Sequence, residues 1–305
     1  MMNPHMPKML FVVGAGRSGT DILATTLLKN LEDVAYLVEI NDLWTSETPG
    51  LSHDMVTPYM LSETQRQSIR DAILRKAEGK TFVLDKTAAN VLRLDLIHTL
   101  FPEAKVVHII RDGRDVAVST RKKLMGDIRK ITRKEEEDRS LREKIIQIRR
   151  EIEAKLKSGL GFKRLLLNFP RYAGGLLRMA GLKKGGIWGP RFPGIHLYAK
   201  MYDMLGLSAV QWKTSVFCAK NYAAAHPELA YREIHYEALM ENPEAEIAKL
   251  LTFLEVPFER GAIRHSIDPG GKSWRGVMDG KEKREVASLI EDDLLRLGYP
   301  STFAR

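Results

Sequence analysis

Residues 9 to 30 constrain the fold of this chain more than any other stretch. Met9 to Val13 is apolar and partly β-branched, and it stops at Gly14-Ala15-Gly16-Arg17-Ser18-Gly19-Thr20. A run of that kind bounded by glycines reads as a short buried strand. From Asp21 to Asn30, residues Ile22, Leu23, Thr26 and Leu27 recur at helical spacing. A strand, a tight glycine loop and a helix, in that order, open a nucleotide-binding α/β domain. Such a loop aims backbone N–H groups at an anion, and the helix N-terminus adds favourable partial charge.

The alternation continues. Thr64 to Ala77 reads as a helix, Thr81 to Leu84 as a strand, and Leu92 to Leu100 as a helix ended by Phe101-Pro102. Lys105 to Ile110 is almost continuously apolar, as a parallel strand covered on both faces is. A helix over Asp115 to Lys123, a strand over Leu229 to Ile234 and a helix over Glu244 to Leu254 complete the series. The expected fold class is α/β, a P-loop-like parallel sheet flanked by helices.

The middle of the chain breaks the pattern. Glu135 to Lys157 is densely charged, with Ile145, Ile148, Ile152 and Leu156 forming one apolar stripe of an exposed helix. Ala154 to Tyr202 then has no Asp or Glu and ten Lys and Arg. The whole chain carries +9, so the remainder nets −1. Basicity confined to one segment points to a local anionic partner and away from nucleic acid. A single domain over residues 1–305, with a basic helical insertion at about 125–205, accounts for this organisation. Arg164, Arg171 and Arg178 recur every seven residues among leucines, and Pro170 interrupts any long helix. The favoured reading is a lid whose leucines cover a cleft. The alternative is peripheral contact with an anionic membrane through 154–202. Trp188 to Gly194 is a rigid aromatic turn that either lines a pocket or caps a packed loop.

Cys218 is the sole cysteine, which excludes an intrachain disulfide and a cysteine-based metal site. The apolar N-terminal run is too short for a signal sequence, and no membrane-length apolar run occurs. A soluble, cytoplasmic protein is expected.

The glycine loop departs from the Walker A pattern in an informative way. Gly14 and Gly19 have the right spacing, but Thr20 and Asp21 follow where Lys and Ser/Thr would be. The residues that grip a triphosphate and hold Mg²⁺ are missing, which disfavours a P-loop-type nucleotide or small-molecule kinase, the alternative reading. A shorter 5' anion gripped by Arg17 fits better. A second anchor lies at Arg111-Asp112-Gly113-Arg114-Asp115-Val116-Ala117-Val118-Ser119. Arg111 stands at the carboxyl end of a predicted strand, where open α/β sheets bind ligands. Ser119, eight residues on, adds a hydroxyl that could help hold a second phosphate.

These two segments, in this order, resemble the motifs of the sulfotransferase superfamily that uses 3'-phosphoadenosine-5'-phosphosulfate (PAPS). Asp85-Lys86-Thr87 followed by Asn90 resembles an element of its bacterial and tyrosylprotein-sulfating branch. His235-Tyr236-Glu237-Ala238-Leu239 with Asn242-Pro243 is similar to a late element of the superfamily. The resemblance covers residues 9 to 120 and about 229 to 280. It implies that Gly16, Arg17, Ser18, Gly19 and Thr20, with Asp21 at the mouth of the loop, bind the 5'-phosphosulfate. It implies Arg111 and Ser119 for the 3'-phosphate, Tyr236 for the nucleotide, and Lys272, Ser273, Trp274 and Arg275 for a closing segment. Asp21 departs from the usual Thr or Ser, and its carboxylate should repel the anion unless it turns away or meets an arginine. The product would be 3'-phosphoadenosine-5'-phosphate (PAP), and the reaction requires no metal.

Transfer of a sulfuryl group in line needs a base on one side and cations on the other. Glu39, twenty-two residues past Arg17, stands where the resemblance implies a carboxylate base. Arg17 and Lys86 are the expected catalytic cations. His53 and His108 are alternative bases, although His108 sits in an apolar strand and reads as a buried structural histidine. The acceptor, a hydroxyl or amine, and the oligomeric state are not encoded in any motif.

Overall fold

A computed structural model of the chain describes residues 6–77, 79–136, 187–259, 261–265, 267 and 273–303. Five strands form one sheet: β1 (Lys8–Val13), β2 (Val34–Val38), β3 (Phe82–Lys86), β4 (Lys105–Ile110) and β5 (Ala230–His235). Their order is β2-β3-β1-β4-β5 and every pairing is parallel. The described helices are α1 (Thr20–Leu28), α2 (Asn41–Trp44), α3 (Glu63–Arg75), α4 (Leu94–Leu100), α5 (Gly113–Glu136), α6 (Ile195–Met201), α7 (Met204–Ala225), α8 (Tyr236–Glu241), α9 (Pro243–Phe253) and α10 (Gly280–Arg296). None of them is long and apolar enough to cross a membrane.

The strands are apolar on both faces because helices cover both. Leu10, Val12, Val107 and Ile109 pack against Leu23 and Leu27 of α1 and Ile247 and Leu250 of α9. Phe11, Val13 and Val106 turn the other way, onto Ile69 and Ile73 of α3 and Ile97 of α4. Ile110 continues that face into a cluster with Val116, Trp212, Val286 and Ile290 from α5, α7 and α10. Each such fully buried side chain contributes about 1.5–3 kcal/mol of transfer free energy.

The strands and helices anticipated within the described residues are present, with shifted ends, while the helix expected over Glu135 to Lys157 falls almost wholly outside them. β3 runs two residues beyond Leu84, which puts Lys86 at its carboxyl end. α5 extends to Glu136, well past Lys123 and into the region assigned to the insertion. Six of these elements were not anticipated: β2, the short helices α2, α6 and α8, and the longer helices α7 and α10. β2 is an edge strand that pairs with β3 alone. α7 is packed between α5 and α10 and is apolar around much of its girth, so it lacks a one-sided stripe. Asp203 starts it by accepting from the N–H groups of Leu205 and Gly206 at 2.7 and 3.0 Å. α10 opens with a capping box between Asp279 and Glu282. Residues 137–186, including Arg164, Arg171 and Arg178 and most of the basic stretch 154–202, lie outside the described residues.

The turn from β1 into α1 depends on Gly19. Its φ is +101°, and a Cβ there would come 2.6 Å from the Tyr236 ring. His108 of β4 is fully buried on the α7 face, with Nδ1 2.6 Å from the Tyr231 hydroxyl. Burial pushes its imidazole pKa down to about 3, and Lys220 and His235 add to the effect.

Gly19→Ala should destabilise the fold by about 1–3 kcal/mol, since both the backbone and Tyr236 must adjust. Denaturant unfolding measures this; an unchanged midpoint would contradict the geometry. His108 makes the folded chain a poorer proton acceptor than the unfolded one, so its stabilising contribution is present above about pH 6.5 and is lost as pH falls toward 3. The stability of His108→Gln relative to wild type should therefore rise by roughly 1 kcal/mol per pH unit on going from pH 6 to pH 4. Parallel stability–pH curves would refute this.

Candidate nucleotide-binding and transfer site

The carboxyl ends of β1, β3 and β4 lie side by side, and the loops leaving them form the site. After β1, the Ser18 N–H donates to the Ala15 carbonyl at 3.0 Å, and Arg17 adopts a φ of +71°. Ser18 is fully buried, and its Oγ has no hydrogen-bond partner among the described residues. A buried hydroxyl left without a partner is costly unless a ligand completes it. Trp188 lies against Gly16, where a Cβ would come 2.9 Å from its ring.

The segment that carries Trp188 is pinned at several points. Gln211 donates to the carbonyls of Trp188 and Pro190 at 2.8 and 3.0 Å. The Arg191 guanidinium pairs with Asp54 at 3.1 Å, its N–H donates to Asp54 at 2.8 Å, and its carbonyl accepts the Asp54 N–H at 2.6 Å. Burial alone would raise the Asp54 pKa, but the charges of Arg191 and Arg93 and the Arg191 hydrogen bonds hold it below the usual range. The aromatic turn read from the sequence is thus a cover over the glycine loop, tied to the loop that follows α2.

The second anchor meets the first. Arg111 Nη1 donates to the Arg17 carbonyl at 3.3 Å, and Arg17 Nε donates to Ser119 Oγ at 3.2 Å. The Arg111 guanidinium lies 4.2 Å from the centre of the Tyr236 ring, and Tyr236 in turn packs on Gly19. Trp212 Nε1 donates to the Arg111 carbonyl at 2.8 Å, which fixes the backbone there. Arg111 Nε is buried without a partner among the described residues. The neighbouring charges are engaged elsewhere. Asp112 pairs with the fully buried Arg114 at 2.7 Å, and its N–H donates to Glu237 at 2.9 Å. Asp115 accepts the Trp274 N–H at 2.7 Å. Arg111 is therefore not consumed by a surface Arg–Asp network.

At the end of β3, the buried Lys86 ammonium sits 2.5 Å from Asp21 and 3.0 Å from Glu39. Burial alone would lower its pKa, but the hydrogen bonds and charges of these two carboxylates outweigh that and raise it. Glu39 extends the β2–β3 ladder, its N–H donating to the Lys86 carbonyl at 3.1 Å, and its φ is +49°. Asp21 does not meet an arginine; it pairs with Lys86, which weakens the repulsion expected at the mouth of the loop, although the one ammonium is shared with Glu39. Behind Lys86, Asp85 accepts from Trp44 at 2.8 Å and from Asn90 at 3.1 Å, and burial raises its pKa to about 6.

The other residues singled out in the sequence have definite places. Thr20 is buried at the start of α1. Ser273 is exposed, with its Oγ accepting the Arg275 N–H at 3.4 Å. Trp274 is buried between the guanidinium groups of Arg114 and Arg275, 4.2 and 4.8 Å from its ring centre. Its indole is therefore part of the core, not an open stacking surface. Lys272 lies outside the described residues. His108 is sealed inside the sheet–helix interface, whereas His53 is half-buried next to Asp54. Sequence reading missed the Asp21–Lys86 pair, the Asp54–Arg191 clasp and the support of Glu237 by Tyr299, whose hydroxyl donates to it at 3.0 Å. These pairs join residues between 62 and 137 positions apart, and no local pattern encodes them.

A family model described as the sulfotransferase family matches residues 7–157. Among solved structures, the sulfotransferase domain of the Synechococcus PCC 7002 olefin synthase aligns over 98% of this chain and 98% of its own, with a TM-score of 0.51 and 16% identity. The sulfotransferase domain of the curacin biosynthetic pathway aligns over 97% and 99%, with a TM-score of 0.48 and 15% identity. A sulfotransferase from Alicyclobacillus acidocaldarius aligns over 97% and 95%, with a TM-score of 0.46 and 16% identity. No curated protein matches the chain. At 16% identity the Synechococcus structure speaks for the fold alone. The matched family model covers both the glycine loop and the Arg111–Ser119 segment, and with the parallel sheet that joins them it shows that this chain belongs to the sulfotransferase superfamily and is a sulfotransferase.

Proposed function

We propose that the chain takes the sulfuryl group of PAPS and places it on a hydroxyl or amine of an acceptor, by in-line displacement with a carboxylate base. The observation that supports this most is the contact between the two anchors, Arg111 donating to the Arg17 carbonyl and Arg17 to Ser119. One ligand with phosphates at both ends would span them. The residues fit such a nucleotide. Ser18 Oγ and Arg111 Nε are buried polar atoms without partners among the described residues, and both belong to the cradle. Gly16 and Gly19 are places where a Cβ would collide with Trp188 or Tyr236.

In this reading Arg17, Ser18, Gly19 and Thr20 hold the 5' anion, while Arg111 and Ser119 hold the 3'-phosphate. Bound PAPS supplies the sulfuryl group and, once that group has left, the bisphosphate leaving group. Glu39 accepts the proton of the attacking hydroxyl at its carboxylate. Lys86 and Arg17 stabilise the charge that builds on the far side of the transferring group. Since Lys86 bridges Asp21 and Glu39, one ammonium orients the base and also weakens the opposition of Asp21 to the anion. A kinase reading lacks support, because no lysine follows Gly19 and Asp21 is already engaged by Lys86.

Calorimetry with PAP against ATP tests the donor. PAP should bind and ATP should bind more weakly; tighter ATP binding, or no binding of either, removes the proposal. Arg111→Ala and Ser119→Ala should each weaken PAP binding, the arginine by more, since a charge-assisted pair is worth about 1.5–3 kcal/mol. Glu39→Gln should lower turnover by about 10²- to 10⁴-fold while leaving PAP affinity close to wild type. Unchanged turnover would move the base to another residue, with His53 the first to examine.

A further inference from the structure

On the side of the molecule formed by α4 and the α7–β5 turn, two histidines and a glutamate converge. His98 lies in the last turn of α4. His226 caps the C-terminus of α7, and Glu228 follows two residues on, across Pro227. One ligand atom from each of the three lies within 4.8 Å of the others. The imidazole centres of His98 and His226 are 5.9 Å apart with their planes at 78°. With metal–nitrogen bonds of about 2.0–2.1 Å, two imidazoles on one tetrahedral ion place their ring centres about 5–6 Å apart.

The rings are also held in place. His98 Nδ1 shares a hydrogen bond with the Tyr222 hydroxyl at 3.0 Å, and His226 Nδ1 is 2.9 Å from Glu228. Tyr222 stacks on His226 with ring centres 4.2 Å apart. The Tyr222 hydroxyl thus orients the His98 ring and leaves its other nitrogen as a ligand, the arrangement that sets tautomer and ring direction in metal sites, while the Tyr222 ring fixes the plane of His226 and the direct His226–Glu228 contact is the one an ion would replace. Both histidines are half-buried and Glu228 is exposed, which leaves a side open to solvent. Cys218, on α7, is not among the groups whose ligand atoms converge here, and burial, with the charge of Asp95, pushes its thiol pKa up to about 11.

We propose that His98, His226 and Glu228 bind one divalent transition-metal ion, zinc(II) by the ligand set, with a fourth position taken by water. Two imidazoles and one carboxylate match the borderline-soft preference of that ion and not the oxygen shell of Mg²⁺ or Ca²⁺. The ion would tie α4 to the turn that leads into β5, two elements that meet at the edge of the sheet, and it stands independently of the transfer chemistry.

The test uses the full chain, stripped of metal and titrated with Co²⁺ while its visible d–d absorption is followed. One equivalent should give a tetrahedral-type band that zinc displaces, and added zinc should raise the melting temperature. His98→Ala and His226→Ala should abolish the band and the thermal shift. Glu228→Gln keeps the packing and should weaken binding by about tenfold or more, so it stands in if a histidine variant fails to fold. No tetrahedral band from the wild type, or a Co²⁺ titration in Glu228→Gln and His98→Ala identical to the wild type, would overturn the site.

Discussion

The pairing of β1 with β4 determines most of what this molecule can do. The ladder sets Val13 opposite His108, so the residues just beyond each strand emerge at the same edge of the sheet. Arg17 and Arg111, 94 positions apart in sequence, then lie within one hydrogen bond of each other. Two guanidinium groups held this close repel unless an anion or a π face offsets them. Tyr236 provides part of that offset from below Arg111, and the Arg17 carbonyl supplies an acceptor. The supporting contacts come from elements far away in sequence. Trp212 of α7 fixes the Arg111 backbone, and Glu237 after β5 fixes that of Asp112. The anion cradle is therefore a product of the assembled sheet and not of either loop alone.

A second cluster of charge stands beside it, and its sign is opposite. Lys86 carries one positive charge between the two carboxylates of Asp21 and Glu39. An isolated surface pair contributes little, but a buried ammonium with two acceptors is held firmly, because its loss would leave the carboxylates unopposed. The cradle and this cluster meet at the end of β1, with Asp21 in α1 as the boundary between them. In the proposed reaction this separation would keep the anionic donor from being repelled by the base.

β1 and β4 were legible because central strands covered on both faces are nearly pure apolar runs bounded by turn residues, whereas β3 and β5, of mixed composition, were read from their place in the alternation of strands and helices. β2 was not legible. Its Val34–Val38 run is wholly apolar or aromatic, but no glycine or proline borders it to set it apart from the residues on either side. α7 escaped for the opposite reason, since a helix packed between two others has no polar face to generate a period. The residues proposed to bind the anion could be picked out because their pattern is local, a glycine loop and an arginine with a hydroxyl eight residues on. Asp21 could not be placed correctly. Whether a carboxylate opposes a ligand or neutralises a lysine depends on Lys86, which reaches it only through the sheet. Trp274 shows the same dependence on assembly: no local pattern reveals that the packing of α5 and α10 buries its ring over Arg114.

Glu39 has a backbone torsion that residues with a side chain rarely adopt, its φ being +49°. Holding it there costs on the order of 1 kcal/mol. Glycine would relax the chain at that point, but would leave Lys86 with Asp21 as its one remaining carboxylate. The relief of backbone strain is thus set against the loss of a carboxylate from a buried ammonium, so position 39 keeps a side chain for the sake of its charge and not of its backbone.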